Sequence, residues 1–345
     1  MIPARLTDCH RDTWQQQMVD AVTDPAELLD MLGLDPALLT PALAAAARFR
    51  LRVPRSFVRR MRRGDPHDPL LRQVLPVGEE LRDADGYSAD PLGEAAANPV
   101  PGLLRKYHGR ALLVTTGACA VQCRYCFRRE FPYDAQVSDG GRWHEALAAI
   151  AADRSIEEVI LSGGDPLSLS NARLGALTES LAPIPHVRRL RVHTRTPVVL
   201  PARVDEGFGH WLARLPWPVV VVVHANHARE IDDEVTDALA RVRAAGAHLL
   251  NQSVLLAGVN DSVDALASLS GALFDAGALP YYLHLLDRVR GASHFDVPEA
   301  RARELVRGLA ARLPGYLVPR LVREEAGAPG KTLLPLSTGS QTCKL

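Results

Sequence analysis

The chain predicts an α/β protein, a partial parallel barrel of the (β/α)6 type with an N-terminal helical extension. Three observations carry that expectation. From about residue 110 onward, short β-rich runs alternate with alanine- and leucine-rich helical stretches, the pattern of βα units feeding a parallel sheet. Six or seven such units can be traced, which fits an open or partial barrel better than a closed eight-stranded one. The first 100 residues lack the alternation and carry helix-start signals instead.

In chain order, Thr23-Asp24 ahead of Pro25-Ala26-Glu27-Leu28-Leu29 is an N-cap followed by proline in the first turn. Alanine-rich Pro41 to Phe49 predicts a second helix, and Pro66 to Gly93, dense in Pro, Gly and Asp, predicts loop. The basic run Arg59-Arg60-Met61-Arg62-Arg63 reads as a solvated helix face. Strands are expected at Ala111–Thr115, Glu158–Leu161, Arg189–His193, Val219–Val223, His248–Leu255, Tyr281–Leu285 and Leu317–Val322. Helices are expected at Trp143–Ala152, Arg173–Leu181, Asp232–Ala245, Ser262–Asp275 and Pro298–Leu313. This divides the chain into a helical region over 1–100, a barrel over 101–320 and a C-terminal segment over 321–345. No internal repeat is visible.

Composition narrows the function. At 345 residues, 47% hydrophobic and 23% charged, the chain can build a sizeable globular core. A formal net charge of zero gives no electrostatic footprint for nucleic acid. No apolar run approaches the roughly 18 residues of a membrane span, and the polar start lacks a signal-peptide core, so a cytoplasmic location is expected. Five cysteines, three of them bunched, argue for metal or redox chemistry over disulfides. Only Lys106, Lys331 and Lys344 are lysines among 40 basic residues. A lysine kept in an arginine-rich chain is a candidate for imine chemistry, which a guanidinium cannot do.

The motif Cys119-Ala-Val-Gln-Cys123-Arg-Tyr-Cys126 directly follows the first predicted barrel strand. Parallel barrels gather their chemistry at such strand ends. Three thiolates on one loop can each ligate one iron of a four-iron cluster and leave the fourth iron open. The alternative is a zinc site completed by a histidine such as His108 or His144. Leu161-Ser-Gly-Gly-Asp-Pro-Leu167 ends the second strand; its glycines permit close backbone approach, and Asp165 is an acceptor for an ammonium group, although Gly-Gly-Asp-Pro is also an ordinary turn.

Cys-x3-Cys-x2-Cys with an aromatic residue before the last cysteine resembles the radical S-adenosylmethionine (SAM) superfamily. With Phe127-Arg128-Arg129, Arg195-Thr-Pro-Val-Val-Leu-Pro201, His224-Ala-Asn-His227 and Asn251-Gln-Ser-Val-Leu-Leu256 in the same order, the chain resembles the lysine 2,3-aminomutase family. Leu279-Pro-Tyr-Tyr-Leu-His-Leu-Leu-Asp287 and the N-terminal stretch resemble its short bacterial branch, which supplies β-lysine for modification of elongation factor P.

The resemblance implies an isomerase that converts L-α-lysine to (R)-β-lysine with a 4Fe-4S cluster, SAM and pyridoxal 5′-phosphate (PLP). It implies that Cys119, Cys123 and Cys126 hold the cluster. Lys331, in Gly327-Ala-Pro-Gly330-Lys331-Thr332, is then the lysine that anchors PLP as an imine, where the residues alone also allow an exposed loop lysine. Tyr107 and Arg110 lie near the PLP phosphate, which Lys106 can meet as a point charge. Ser162, Gly163, Gly164, Asp165, His224 and Gln252 surround SAM. Arg128 pairs with the substrate carboxylate as a bidentate fork, and Asp287 and Glu324 grip the substrate's side-chain ammonium. Glu324 stands where catabolic relatives carry aspartate, and Ala257 where arginine is common. The catabolic enzymes' C-terminal extension is missing, and with it the expectation of their zinc site. Expected partners are the small molecule L-lysine and an external electron donor, with a functional link to elongation factor P and its lysyl ligase, and no nucleic acid or membrane. A glutamate 2,3-aminomutase or a radical SAM enzyme without PLP are the alternatives.

Overall fold

The computed structural model describes residues 13–136 and 142–336; Cys9, Cys343 and Lys344 lie outside them. One sheet runs through the described residues, its strands paired in chain order. β1 (Leu103–Leu104) lies antiparallel on β2 (Arg110–Thr116). From β2 the strands run parallel through β3 (Glu158–Gly163), β4 (Arg189–Thr194), β5 (Val219–Val223), β6 (His248–Val254), β7 (Leu279–His284) and β8 (Arg320–Arg323). β9 (Thr332–Leu333) returns antiparallel on β8. The sheet does not close between its outer strands. Six βα units and a last strand make the partial barrel that the alternation predicts.

Among the described residues five α-helices precede the sheet: α1 (Trp14–Val19), α2 (Pro25–Leu32), α3 (Leu39–Arg48) and the single turns α4 (Arg55–Val58) and α5 (Pro69–Arg72). After β2 come the short α6 (Tyr133–Gln136) and α7 (Arg142–Ala152). α8 (Asn171–Leu181), the turn α9 (Thr196–Val199) with α10 (Glu206–Ala213), α11 (Asp233–Ala244), α12 (Val263–Asp275) and α13 (Glu299–Arg312) follow β3 to β7 in turn. Polar side chains start several of them. Asp24, Asp205, Asp232 and Ser262 accept backbone N–H groups of the first turns of α2, α10, α11 and α12, satisfying donors a helix start leaves unpaired.

The period-two alternation of the strands decides which side chains reach the barrel interior. Leu113, Val159, Leu161, Leu190 and Val192 face outward into a core with Ile150, Leu177, Phe208, Leu239 and Val242. Their neighbours Leu112, Ile160, Ser162, Arg191 and His193 face a central cavity.

The helical region shares a core with the strand-end loops. Trp14, Leu28, Phe57, Leu70, Leu71 and Val74 pack with Ala120 and Val121 of the cysteine loop and with Val199 and Leu200 after β4. The stretch expected as loop from Pro66 to Gly93 contains α5, started by Asp68, which accepts from the N–H groups of Leu70 and Leu71 at 2.9 and 3.1 Å. The basic run at 59–63 is no solvated helix face, because α4 ends at Val58. Arg60 is inserted against the barrel, 3.3 Å from Asp232 and donating to the Glu230 carbonyl at 2.6 Å. Buried Met61 joins the core, while Arg59, Arg62 and Arg63 are exposed.

Candidate active site

The cysteine loop leaves β2 at Thr116 and is fastened mainly by the helical region. The Gln122 and Arg124 N–H groups donate to the carbonyls of Arg52 and Gln73, both at 2.9 Å. Arg124, fully buried, forks onto Glu80 at 2.8 and 2.5 Å and donates to the Phe49 carbonyl at 2.7 Å. Arg129 reaches the same Glu80 at 2.7 Å. A buried arginine shared among so many acceptors fixes the loop, and its three cysteines all line one cavity.

That cavity, about 430 Å3, is lined by Cys119, Cys123 and Cys126 and also by Glu324 and Lys331. The cysteines are half-buried. Burial pushes the Cys126 thiol up to about 11 and Cys119 well above its usual value, so loading iron must displace protons. Among the described residues no three His, Cys, Asp or Glu side chains converge as a single-ion site. His108 and His144, the candidate fourth zinc ligands, are exposed and do not line the cavity. Three sulfurs on one wall of an open cavity suit a cluster with a free iron.

The glycine pair after β3 has a packing reason. Gly163 sits at φ +119°, and a Cβ there would lie 2.7 Å from the Thr116 carbonyl oxygen. A Cβ on Gly164 would run into the Ala118 carbonyl oxygen and lie 2.8 Å from the Gly117 carbonyl carbon. The Gly164 and Asp165 N–H groups instead donate to Thr116 and Ala118 carbonyls at 2.7 and 2.8 Å. What these glycines admit is the backbone of the cysteine loop. Asp165 is saturated in the same way. Its carboxylate accepts from Leu167 N, Thr194 Oγ1, Arg195 N and Thr196 N at 2.7 to 3.0 Å. It holds the ends of β3 and β4 together, and an ammonium acceptor role for it has no free oxygen site. Ser162 lines the cavity and receives an Arg128 Nη1 hydrogen bond at 3.1 Å.

His224 and Gln252 meet on the cavity wall, Nε2 to Nε2 at 2.8 Å. Burial and the cations Arg195, Lys331 and Arg128 push the His224 pKa down to about 3, so the ring is neutral. Asn251 positions both strand ends: its amide donates to the Ala225 carbonyl and accepts from the Ala225 N–H.

Around Lys331 the charges alternate. Lys331 Nζ lies 2.5 Å from Glu324 Oε2, and Lys106 pairs with Glu324 Oε1. Lys106 also stands 3.5 Å from Glu94, which forks onto Arg128 at 2.7 and 2.8 Å. The Arg128 edge expected to grip a carboxylate is therefore already held by a protein carboxylate, and Nη1 is engaged with Ser162 and the Gly163 carbonyl. Asp287 lines the cavity beside Glu324, and burial with the Glu324 charge pushes its pKa up to about 7. Arg110 lies 5.2 Å from the Tyr107 ring, and Lys331 Nζ 5.9 Å from the Tyr282 ring.

Among the described residues, three side-chain nitrogens of cavity-lining residues are buried without a hydrogen-bond partner: His193 Nε2, His284 Nε2 and Arg195 Nε. Buried polar atoms normally have partners; the two histidines lie within reach of the Lys331 charge, and Tyr107 lies against Glu324. With Arg110 and Lys106 as cations and a primary amine at Lys331, they fit a polar, anionic aromatic cofactor. Sequence reasoning missed Glu94, His193, His284 and Arg195. Glu94 carries no motif; Arg195 lies in a noted motif, but nothing in the spacing gives it a task.

No family model matches the chain. It is 50% identical to an L-lysine 2,3-aminomutase of Escherichia coli over 96% of this chain and 97% of that one. It is 47% identical to an L-lysine 2,3-aminomutase of Haemophilus influenzae over 93% and 95% of the two chains. Among solved structures, a radical SAM methyltransferase from Sphaerobacter thermophilus superposes with a TM-score of 0.46 at 21% identity, over 64% of this chain and 68% of that one.

Proposed function

The chain belongs to the L-lysine 2,3-aminomutase family, and from that premise we propose how its own residues divide the work of moving an amino group on lysine. It is a radical SAM isomerase acting on L-lysine, with a 4Fe-4S cluster, SAM and PLP as its cofactors. When bound, the cluster with SAM supplies a radical that borrows and returns a hydrogen, and PLP carries the nitrogen from carbon 2 to carbon 3.

Cys119, Cys123 and Cys126 hold the cluster. His224, Gln252 and the Ser162–Gly164 strand end flank SAM between the cluster and the lysine end. Lys331 anchors PLP, with Tyr107, Arg110 and Lys106 around its phosphate. Arg128 meets the substrate carboxylate with donor capacity outside its Glu94 contact, and Asp287 and Glu324 meet the side-chain ammonium. Two carboxylates are suitable because an ammonium drawn from water into a lined cavity needs compensating charge. The barrel walls exclude water and hold the reacting atoms in line, which is what the protein itself adds.

The observation that supports this reading is the shared cavity: Lys331 and the three cysteines line the same space of about 430 Å3. The finer reading is that the product is (R)-β-lysine, destined for elongation factor P through its lysyl ligase, in a cytoplasm that supplies a low-potential electron donor. It is supported by the match to the short bacterial branch. Among the described residues no helix is long and apolar enough to cross a membrane.

The test is incubation of the anaerobically reconstituted protein with SAM, PLP, dithionite and either L-lysine or L-glutamate, followed by chiral product analysis. (R)-β-lysine from lysine and no β-glutamate from glutamate is the expected result. Turnover of glutamate in preference to lysine overturns the assignment of Asp287 and Glu324.

A further inference from the structure

Arg195 has no part in the assignments above, yet it touches the cysteine loop directly. Its guanidinium Nη1 donates to Cys123 Sγ at 2.8 Å. Nη2 donates to Gln73 Oε1 at 2.7 Å and lies 3.0 Å from Glu230 Oε2. The group sits over the rings of Phe57 and Tyr125, 5.5 and 5.6 Å from their centres, and the residue is 4% exposed. Its own backbone N–H is held by Asp165 at 2.7 Å. The side chain is thus held between the helical region, the cysteine loop and the segment after β5, while Asp165 after β3 holds its backbone.

We infer that Arg195 raises the reduction potential of the cluster by donating a charged N–H to the Cys123 sulfur, an inference that rests on Cys119, Cys123 and Cys126 being the cluster ligands. Reduction adds one electron from a low-potential external donor, and no bond is made or broken. The added negative charge spreads over the irons and their sulfurs. Hydrogen bonds to those sulfurs and the net charge around the cluster set the potential. A cation in hydrogen-bond contact with a ligand sulfur favours the reduced state over the oxidised one, and more so where water is excluded. Glu230 pairs with the other terminal nitrogen of the guanidinium, Nη2, and offsets part of its charge. The two residues therefore act with opposite sign. Arg195 is a positioning and tuning residue, since no substrate atom need touch it.

The experiment uses the full chain reconstituted anaerobically with iron and sulfide, as wild type, Arg195→Gln, Arg195→Lys and Glu230→Gln. Cluster content is measured by iron and sulfide analysis. Dithionite titration followed by electron paramagnetic resonance then gives the potential, without SAM. Arg195→Gln should shift the potential negative, Arg195→Lys less so, and Glu230→Gln positive. Equal potentials at matched cluster content, or shifts of the reverse sign, overturn the inference. If Arg195→Gln takes up no iron, Arg195→Lys and Glu230→Gln still carry the sign. A wild-type protein that takes up no cluster, or a Cys123→Ala protein that keeps a full one, defeats the cysteine reading instead.

Discussion

Glu94 holds Arg128 along one edge, Oε2 to Nε at 2.7 Å and Oε1 to Nη2 at 2.8 Å, with both side chains almost wholly buried. Burial disfavours the guanidinium charge, but the Glu94 carboxylate outweighs it and holds the Arg128 pKa above its usual value. Removing one partner of such a pair leaves the other charged and unpaired, at a cost of about 3–5 kcal/mol. Glu94→Ala should lose about that much stability in denaturant unfolding. Glu94→Gln should lose less, because its amide oxygen still accepts one N–H, while raising the KM for lysine with a smaller change in kcat. An unchanged KM in Glu94→Gln would detach Glu94 from substrate binding.

Asp287 gives the site a pH dependence. Its carboxyl is pushed from 3.8 up to about 7, mainly by burial and then by the Glu324 charge. In the ligand-free protein it is protonated below that value and anionic above it. Lysine binding through its ammonium should therefore strengthen as pH rises through about 7, and Asp287→Asn should flatten that part of the KM profile. The stability effect has a definite sign. A raised folded pKa makes the anion a burden that is absent below the ordinary carboxylate range, grows toward pH 7 and is complete above it. Asp287→Asn should gain stability over wild type most clearly in alkaline buffer. Glu324 behaves oppositely: despite burial, Lys331 and Lys106 hold it well below the usual range. Its contribution is present above that range and is lost on acidification, which a urea series from pH 7 to pH 3 would follow.

The barrel was legible because each unit carries a local signal. Five valines at Val219–Val223 form β5 with the bounds the pattern predicts, and a polar cap precedes α11 and α12. The two-residue strands β1 and β9 are too short for any period to show. α10 escaped because its glycines at Gly207 and Gly209 disguise a helix whose apolar face is Phe208, Trp211 and Leu212. At the site, the cysteines and Lys331, which line one cavity, stood out in the sequence because a motif and a chemical need mark them. Glu94 and Arg195 did not, since each gains its role only when distant segments meet. The glycines after β3 were noticed for the right property, freedom from a Cβ, and the neighbour that property admits is the backbone of the cysteine loop.

Lys331 and the cysteines share a cavity without touching, so their cofactors should be separable. Lys331→Ala should lose the absorbance band of bound PLP and all turnover, yet take up iron and sulfide as wild type does. Cys126→Ala should lose the cluster absorbance and retain the PLP band. A single variant that abolishes both bands while remaining folded by circular dichroism would mean that the two ends assemble together.

Gly164 and Gly175 form a matched test of the strand-end packing. Gly175 lies within α8, and an added Cβ would meet nothing within 4 Å. Gly175→Ala should stabilise the protein by about 0.5–1 kcal/mol, the usual helix-interior difference. At Gly164 the same methyl group would collide with Ala118 and Gly117 backbone, which no rotamer change relieves. Accommodating it requires the cysteine loop to move off β3 and breaks the Gly164 and Asp165 hydrogen bonds to Thr116 and Ala118. Overpacking of this kind typically costs about 1–3 kcal/mol, and here it also displaces Cys119. Gly164→Ala should therefore unfold at lower denaturant than wild type and reconstitute with less iron per chain, while Gly175→Ala keeps full iron content. Equal iron in both proteins would show that the loop can shift without disturbing the sulfurs, and the close approach would then serve stability alone.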